Sequence, residues 1–347
     1  MSISVEIEKD FGSFCLNVAF SAGDETLALL GASGCGKSMT LKCIAGVERP
    51  DSGKIIVNGK TLFDRAKRIN LSPQDRRTGL LFQNYALFPN MTVLQNITAG
   101  AVREKNRSCR EQVVEEILER FRLTQLTGHY PHQLSGGQQQ RTALARILVS
   151  APQILLLDEP FSALDSHLRF QLEQEVREVI QRFTGTTLLV SHDRDEVFRL
   201  SDRIAVLDNG RVDTIGSREE VFSAPSTTQA ARLTGYGNIS RIQTIGERRV
   251  FALDWGVELQ IRQNVEDAKA IAIPRSKICS GGKENSVICR VEQEMENPFS
   301  YTVMLRPEGA KSETGIAWEL DKETWERIRG PKQEICLPAA AIRLLKE

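Results

Sequence analysis

Hydrophobic and polar residues follow two different periods along the first part of the chain. Apolar residues alternate with polar ones over Ile3–Glu8, which predicts a strand with one buried face, and Leu16–Phe20 predicts its hairpin partner. Cys109–Phe121 spaces its apolar residues as a helix does. Continuous apolar runs predict further, fully buried strands at Thr26–Leu30, Ile55–Val57, Leu155–Leu157 and Leu188–Val190. Strands that alternate with helices predict an α/β architecture.

The pattern changes after Leu233. Thr234–Asn238 has the composition of a linker, and short apolar segments separated by Gly, Pro, Asn and Asp follow it. Such segments predict a small barrel or sandwich, with strands at Val250–Leu253, Val257–Ile261, Ala270–Ile273, Ser286–Val291, Tyr301–Leu305, Ile316–Leu320 and Glu334–Leu337. We therefore expect one domain over residues 1–237 and a second over 238–347. All three Trp fall in the second domain, where we expect them in the core.

Composition excludes several classes of protein. The 45 Lys+Arg balance the 45 Asp+Glu, so the chain is not a polycation that coats nucleic acid. No apolar run approaches the roughly 18–20 residues of a membrane helix, and the N-terminus has no signal-peptide core, so we expect the chain not to cross a bilayer. The seven Cys are scattered without a C-x-x-C pair, which favours reduced thiols over disulfides or a metal site.

A glycine-rich loop carries the first chemical signal. The pattern G-x-x-x-x-G-K-[ST] is matched by Gly31, Ala32, Ser33, Gly34, Cys35, Gly36, Lys37 and Ser38. The loop follows an apolar strand and opens a helical segment that starts at Met39. Backbone N–H groups in such a loop form a nest for phosphate, and the helix N-terminus adds partial positive charge. We expect Lys37 to reach the β- and γ-phosphates of a nucleotide and Ser38 to bind Mg²⁺.

An acidic pair supplies a second metal anchor. The apolar run Ile154–Leu157 leads into Asp158 and Glu159. Ligands of α/β folds collect at the carboxyl ends of their strands, so we expect Asp158 to hold Mg²⁺ and Glu159 to polarise the attacking water. Taken alone, the pair would also fit two solvated charges at a strand end.

A second anion-binding helix start distinguishes this chain from a simple nucleotide-binding fold. Ser135 is a good N-cap, and Gly136, Gly137 and Gln138 expose backbone N–H groups at the start of a helix that extends to Val149. One nucleotide cannot easily use two phosphate nests in one chain. A head-to-tail pair of chains can, if each phosphate loop faces the other chain's Ser135–Gln138.

With these motifs, residues 1–235 resemble the ATP-binding subunits of ABC transporters. The resemblance implies a P-loop (RecA-like) ATPase fold with a helical subdomain at about 84–150, the cofactors ATP and Mg²⁺, and a homodimer. It implies that Gln83 senses the metal and the γ-phosphate, that Asp165 shapes the dimer seam and that His192 contacts the γ-phosphate. It also implies an aromatic side chain against adenine, for which we favour Phe11; Phe14 fits core packing.

Tyr85–Ile97 resembles bacterial importers that use a separate solute-binding protein. The resemblance implies attachment at the cytoplasmic face of the membrane, with integral-membrane permease subunits contacting Gln83–Phe88 and the solute-binding protein acting indirectly. Tyr85, Leu87 and Phe88 are expected to line the docking groove. A soluble ABC ATPase acting on DNA or ribosomes is the rival, but such proteins carry coiled-coil insertions or two fused ATPase units. This chain has neither, so we expect no nucleic-acid partner.

The transported solute is inferred from local resemblance. His192–Leu200 and Val221–Ser240 look most like molybdate importers, with sulfate importers second and ferric iron, sugar or polyamine importers further off. The tail resembles a small regulatory domain of the TOBE/MOP kind, an all-β, OB-like barrel. Many such domains open with Ser-Ala-Arg-Asn, whereas Gly235–Asn238 here lacks the Arg. Oxyanion sensing by the tail and a packing or dimerisation role therefore both stay open.

Overall fold

The computed structural model describes residues 1–162, 166–310 and 314–346, without the side chains of residues 166–168. The chain divides into two compact units, Met1–Arg218 and Glu219–Glu347.

A mixed sheet of eleven strands, in the order β6-β5-β4-β1-β2-β11-β10-β3-β9-β8-β7, is the framework of the first unit's described residues. The predicted strands of this part are all confirmed. The strands are β1 (Ile3–Asp10), β2 (Cys15–Ala22), β3 (Thr26–Gly31), β4 (Ser52–Val57), β5 (Lys60–Asp64), β6 (Ile69–Asn70), β7 (Thr78–Leu81), β8 (Ile154–Asp158), β9 (Thr186–Ser191), β10 (Arg203–Asp208) and β11 (Arg211–Ser217).

The centre of this sheet is parallel. β3 pairs with β9 and β10, and β8 pairs with β9 and β7, all in parallel register. Every residue of β3, β8 and β9 is buried, as expected for strands covered on both faces. Parallel strands end on one edge of a sheet, so the residues that follow β3, β8 and β9 are brought together there.

Helices alternate with the parallel strands, and three of them fill the segment between β7 and β8. That segment coincides with the predicted helical subdomain, and side chains of Thr92, Asn106 and Ser135 cap the starts of its three helices. The helices of the first unit are α1 (Lys37–Ala45), α2 (Pro73–Arg76), α3 (Val93–Gly100), α4 (Arg107–Arg120), α5 (Gly136–Leu148), α6 (Ser166–Arg182) and α7 (Arg194–Leu200). Short 3-10 turns lie at Thr124–Leu126 and Pro131–Gln133.

The second unit is β-rich, as predicted. Two five-stranded antiparallel sheets, in the orders β14-β13-β12-β15-β21 and β16-β20-β17-β18-β19, contribute side chains to one apolar core. The elements from its start are α8 (Arg218–Ser223), α9 (Thr228–Thr234), β12 (Asn238–Gly246), β13 (Arg249–Ala252), β14 (Val257–Gln260), β15 (Ala270–Ile273), a 3-10 turn (Arg275–Lys277), β16 (Cys279–Ser280), β17 (Ser286–Glu296), β18 (Ser300–Pro307), β19 (Ile316–Asp321), α10 (Lys322–Ile328), β20 (Lys332–Cys336) and β21 (Arg343–Leu345).

The three Trp are core residues, which confirms the prediction. Trp255, Trp318 and Trp325 are almost completely buried. Trp318 and Trp325 meet edge to face with ring centroids 6.3 Å apart, and the Trp318 indole donates to the carbonyl of Ile278 at 3.0 Å. Trp325 lies on α10, a helix that the short-strand pattern did not predict.

The division between the units lies before the boundary predicted at residue 237. Residues 219–237 pack with the second unit, because Tyr236 shares an apolar cluster with β15 and donates its hydroxyl to the carbonyl of Ser223 at 2.9 Å. The expected linker at 234–238 is a helix end followed at once by a strand. Gly235 stops α9 with φ at +97°, and the buried Asn238 side chain exchanges hydrogen bonds of 2.7 and 2.8 Å with the backbone of Ala317.

A buried arginine holds the helix that carries the phosphate loop. Arg76 is 1% exposed, and neutral oxygens surround its guanidinium. It donates to the carbonyls of Cys43 at 2.7 Å and Ile44 at 2.9 Å, at the end of α1, and to Leu71 and Asn70. Burial lowers the pKa of this guanidinium. Arg76 therefore satisfies the carbonyls at the end of α1 that have no partner within the helix.

Replacing Arg76 with Met should remove these bonds and leave the buried Ile44 carbonyl without its side-chain partner. The Cys43 carbonyl keeps the bond from the N–H of Gly46 at 3.3 Å. We expect the free energy of unfolding to fall by about 2–4 kcal/mol, measured by urea titration followed by far-UV circular dichroism. Arg107→Met is the matched control, since Arg107 is exposed on α4 and forms a surface ion pair with Glu111, which contributes little to stability. Equal stability of the two variants would contradict the capping role of Arg76.

Candidate functional site

The phosphate loop joins β3 to α1 at the carboxyl edge of the parallel sheet. Lys37 is the first residue of α1 and is 5% exposed. Its ammonium donates to the carbonyls of Gly31 at 2.7 Å and Ala32 at 2.8 Å, so it lies inside the loop. The positive charge and the free N–H groups of the helix start are thus focused on one small volume.

Gly31 is required by close packing at the start of this loop. A Cβ atom on Gly31 would lie 2.5 Å from the Leu207 carbonyl oxygen and 2.5 Å from the Cys35 sulfur. The end of β3 therefore touches the end of β10 directly. A side chain at this position would push the loop away from the sheet.

Ser38 and Asp158 meet across the parallel strands. The Ser38 hydroxyl donates to Oδ1 of Asp158 at 2.7 Å. Burial raises the pKa of the Asp158 carboxyl and the charge of Glu159 adds to the rise, while the bond from Ser38 opposes it. A hydroxyl beside a buried carboxylate is an oxygen donor set that fits Mg²⁺, which in nucleotide sites takes only a few protein ligands beside phosphate and water.

Glu159 lies between two other predicted site residues. Its Oε2 accepts from Nε2 of Gln83 at 3.3 Å, and its Oε1 lies 3.3 Å from Nδ1 of His192. Its backbone has φ at +44°, a region that costs energy for a non-glycine residue. The N–H of Glu159 donates to the carbonyl of Val190, and the Ser162 hydroxyl donates to the Glu159 carbonyl. The strained conformation therefore points the carboxylate at Gln83 and His192.

A buried network, which sequence reasoning missed, fixes the strand end before His192. The Ser191 hydroxyl donates to Glu196 at 2.6 Å and accepts from the N–H of Asp193 at 2.9 Å. Glu196 is buried and also accepts from Arg169 on α6 at 2.6 Å. Burial raises the pKa of Glu196, and the bonds from Ser191 and Arg169 oppose the rise. The available signal was a helix start at Asp193, with an acidic residue three positions on.

The second helix start has the predicted form but is separate from the phosphate loop. Ser135 caps α5, and Ser135 and Gln138 form a reciprocal capping box. Within the described residues, the hydrogen bonds of Ser135 all lie in this first turn. Gly137 packs against Leu172 of α6. The chain's own fold therefore does not join its two anion-binding helix starts by a hydrogen bond.

The remaining predicted site residues have mixed outcomes. Ala32, Ser33 and Gly34 are exposed at the loop tip, and Met39 is half-buried in α1. Phe11 stacks on Phe14 with ring centroids 6.2 Å apart, and the Phe14 ring packs on Gly36. The adenine contact of Phe11 stays a prediction. Asp165 lies outside the described residues.

The segment after Gln83 is a tight turn whose exposed apolar residue is Phe88. Phe88 is 46% exposed, whereas Tyr85 is 5% exposed, so the expectation that the Tyr85 ring lines a surface groove was wrong. Tyr85 and Ala86 both have positive φ, and this turn folds the ring inward. Arg146 on α5 donates to the Tyr85 carbonyl at 3.1 Å and lies 5.0 Å from the Phe88 ring centre.

The raised pKa of Asp158 gives a stability prediction. Because folding favours the protonated carboxyl, stability falls as pH rises above the ordinary aspartate value of 3.8. Asp158→Asn keeps an acceptor for Ser38 and removes the charge. We expect this variant to melt at a higher temperature than wild type near pH 7, without nucleotide, with a difference that shrinks near pH 4. Asp24→Asn, at an exposed position, is the control and should have the melting temperature of wild type. An Asp158→Asn variant that melts below wild type near pH 7 would contradict the raised pKa of Asp158.

Comparison with known proteins agrees with this geometry. The family described as "ABC transporter" matches residues 16–162. The chain is 37% identical over 291 residues to the sulfate/thiosulfate import ATP-binding protein CysA 2 of Chromobacterium violaceum, covering 82% of this chain and 77% of that protein. It is 43% identical over 342 residues to CysA of Synechococcus elongatus, covering 86% and 96%. It is 42% identical over 239 residues to the spermidine/putrescine import ATP-binding protein PotA of Methylococcus capsulatus, covering 67% and 60%.

A solved structure extends the comparison to the fold. The ATP-binding cassette MJ0796, described as a dimer in a post-hydrolysis state bound to ADP and Pi, superposes with a TM-score of 0.53 at 28% identity, covering 63% of this chain and 99% of that one. Among the described residues, none of the helices is long and apolar enough to span a membrane. With the cassette fold and relatives that it matches over most of their length, the chain belongs to the ABC transporter family, as the ATP-binding, ATP-hydrolysing subunit of an importer.

Proposed function

We propose that this chain energises the import of an oxyanion, with sulfate or thiosulfate ahead of molybdate, by closing and reopening a pair of its own copies around ATP. The proposed mechanism of ATP hydrolysis rests on one observation, the position of Glu159 between Gln83 and His192. The relatives named above support the choice of solute.

The phosphate loop binds the nucleotide. The N–H groups of residues 31–39 surround the phosphates, and Lys37 turns its ammonium from the carbonyls of Gly31 and Ala32 toward the β- and γ-phosphates. Ser38 and Asp158 would hold Mg²⁺, and Gln83, which donates to the neighbouring Glu159, would sense it. When bound, the ion would supply positive charge that offsets the negative charge of the phosphates.

Glu159 is the proposed general base. Its carboxylate orients a water toward the γ-phosphorus and accepts a proton from it, while Gln83 and His192 hold the carboxylate from either side. His192 then reaches the γ-phosphate with its exposed ring. Ser191, Glu196 and Arg169 keep the strand end in place, so His192 moves little when nucleotide binds.

The second helix start supports a dimer. Among the residues that the structure describes, the hydrogen bonds of Ser135, Gly136, Gly137 and Gln138 are local to α5 and its cap, which leaves this helix start available as an anion site. We propose that it binds the γ-phosphate held by the loop of the other copy. MJ0796, the solved relative, is described as a dimer. Asp165 is proposed to lie at the seam, and Phe11 to contact adenine.

The turn after Gln83 is the proposed contact with the permease. Phe88 offers an exposed aromatic surface, and Arg146 joins this turn to the helix that starts at Ser135. A displacement of Phe88 would therefore be transmitted to Gln83, which lies beside Glu159, and to α5. We propose that the subunit attaches to the cytoplasmic face of the membrane through this turn and that the solute-binding protein acts only through the permease. No nucleic-acid partner is proposed.

The relatives guide the choice of solute. The proteins from Chromobacterium violaceum and Synechococcus elongatus are named for sulfate and thiosulfate import. Local resemblance after His192 favours molybdate, another tetrahedral dianion, but none of the relatives named above carries that name. We therefore place sulfate or thiosulfate first and molybdate second.

Polyamine import is a second candidate. The relative from Methylococcus capsulatus is named for spermidine and putrescine import and is 42% identical to this chain. Its match covers only 60% of that protein, against 96% for the Synechococcus elongatus protein. The longer match extends into the tail and favours the oxyanion importer.

Glu159→Gln should separate binding from hydrolysis. The amide keeps the size of the side chain but cannot accept the proton, so we expect ATP to bind and turnover to fall at least about a hundredfold. Nucleotide binding is measured by equilibrium dialysis, phosphate release by a colorimetric assay, and the dimer by size-exclusion chromatography with ATP. The exposed Glu119→Gln is the matched control. Normal turnover in Glu159→Gln would exclude Glu159 as the base.

Uptake tests the solute. In cells that lack this chain but keep its permease and binding protein, we expect wild type and Glu119→Gln to restore uptake of labelled sulfate or thiosulfate, and Glu159→Gln not to. Labelled molybdate and spermidine are offered in the same cells. Restoration of molybdate uptake alone would move molybdate to first place, and restoration of spermidine uptake alone would overturn the oxyanion proposal.

A further inference from the structure

Two cysteines far apart in the sequence lie side by side in the second unit. β16 is the short edge strand of its sheet and pairs with β20. Cys279 on β16 is the direct register partner of Cys336 on β20. Directly opposed residues of an antiparallel pair project from the same face of the sheet. The two thiols are therefore neighbours, although no sequence spacing indicated it.

The strand register sets the separation of the two cysteines. Gly281 donates its N–H to the carbonyl of Glu334 at 3.0 Å, two positions along the same ladder. Because hydrogen-bonded and non-bonded pairs alternate, Cys279 and Cys336 form a pair of the hydrogen-bonded kind, whose Cα atoms lie about 5.5 Å apart. This separation falls at the commonest value for disulfides, about 5.5–6 Å. The Cβ atoms of such a pair lie toward the wide end of about 4.5–5.5 Å, beyond the usual range of about 3.5–4.5 Å for a disulfide. A bond between the sulfurs would therefore need the short strand β16 to shift toward β20, and the strained bond would be readily reduced.

The two thiols differ in access. Cys279 is exposed, whereas Cys336 is 7% exposed and donates its thiol to the carbonyl of Glu284 at 2.9 Å. Gly282 covers Cys336, since a Cβ on this glycine, whose φ is +150°, would lie 2.8 Å from the Cys336 sulfur. Burial raises the pKa of the Cys336 thiol, and nearby Cys279 adds to the rise. Cys279 is thus the thiol that a solute meets first, and Cys336 is held behind it.

We propose that Cys279 and Cys336 form a dithiol that closes to a disulfide when the protein meets a peroxide. The Cys279 thiolate attacks one peroxide oxygen, the O–O bond breaks, and Cys279 becomes a sulfenic acid as the other oxygen leaves as water or alcohol. The Cys336 sulfur then attacks the Cys279 sulfur, loses its proton and releases water. Two thiols are oxidised by two electrons, and one peroxide is reduced. A thiol reductant such as glutathione reverses the step by exchange.

The disulfide would fasten an edge strand. β16 has two residues and is held to its sheet by two register pairs, so it is a weakly held element. Cross-linking it to β20 closes a long loop, which restricts the unfolded chain. Cytosolic disulfides in ordinary organisms are usually transient and redox-responsive, and a pair with one exposed and one covered thiol fits that pattern. Cys35, Cys43 and Cys289 are buried; Cys35 and Cys43 lie outside strands, and Cys289 has Pro307 and Gln333 as its register partners.

Peptide mapping of the full chain tests the proposal directly. The reduced protein is treated with hydrogen peroxide, blocked with N-ethylmaleimide and digested with trypsin. Cleavage after Lys277 and Lys283 isolates Cys279, and cleavage after Lys332 and Arg343 isolates Cys336, so each peptide holds one cysteine. We expect these two peptides to be linked as the main disulfide product and to separate on treatment with dithiothreitol. Peroxide-treated protein with both peptides unlinked, or linked only to other cysteines, would overturn the proposal.

Two variants assign the roles. In Cys279→Ser, an exposed substitution that leaves the fold intact, Cys336 should stay a free thiol after peroxide. In Cys336→Ser, dimedone should trap a sulfenic acid on Cys279 several-fold more than in wild type, because the resolving thiol is gone. Cys109→Ser, at an exposed cysteine of the first unit, should form the linked peptides as wild type does. Equal dimedone labelling of Cys279 in Cys336→Ser and wild type would exclude Cys336 as the resolving thiol.

Discussion

The parallel pairing of β3, β9 and β8 is the constraint on which the nucleotide site depends. In register, Leu30 lies opposite Ser191, and Asp158 lies opposite Val190. The residues that follow these strands therefore emerge at one edge within a few ångströms of one another. Ser38 reaches Asp158, and Glu159 reaches His192, only because the strands end at the same level. A shift of β8 by one residue would turn Asp158 to the opposite face and break both contacts.

The same edge of the sheet holds charged side chains whose burial costs free energy. Asp158, Lys37 and Glu196 are all nearly covered, and the pKa of Asp158 and that of Glu196 are raised by burial. Glu159 adds backbone strain at a positive φ. The rest of the fold offsets these costs, notably the apolar strands and Arg76 at the far end of α1. Such a balance is typical of sites that are arranged for a ligand rather than for stability.

The second unit is stabilised in a different way. Its core contains the three Trp and draws side chains from two antiparallel sheets, so short strands gain stability from large aromatic residues. Asn238 adds a buried, reciprocal pair of bonds to the backbone of Ala317. The edge strand β16 is weakly held, because it has two residues and pairs only with β20 in its sheet. It places Cys279 opposite Cys336. The second unit thus also contains a pair of opposed thiols whose Cα separation, set by the strand register, is in the range of a disulfide.

Local sequence determined the phosphate loop, the apolar strand before Asp158 and the Ser135 helix start, because each depends on a few adjacent residues and on the φ/ψ freedom of glycine. It also determined the α/β and β-rich order of the chain, since periodicity reports burial directly. Contacts between distant segments were decided by the tertiary structure. Strand register and the packing of elements bring together residues that no local pattern relates. They decided the inward turn of Tyr85, the Ser191–Glu196–Arg169 network, the position of Trp325 on α10 and the pairing of Cys279 with Cys336.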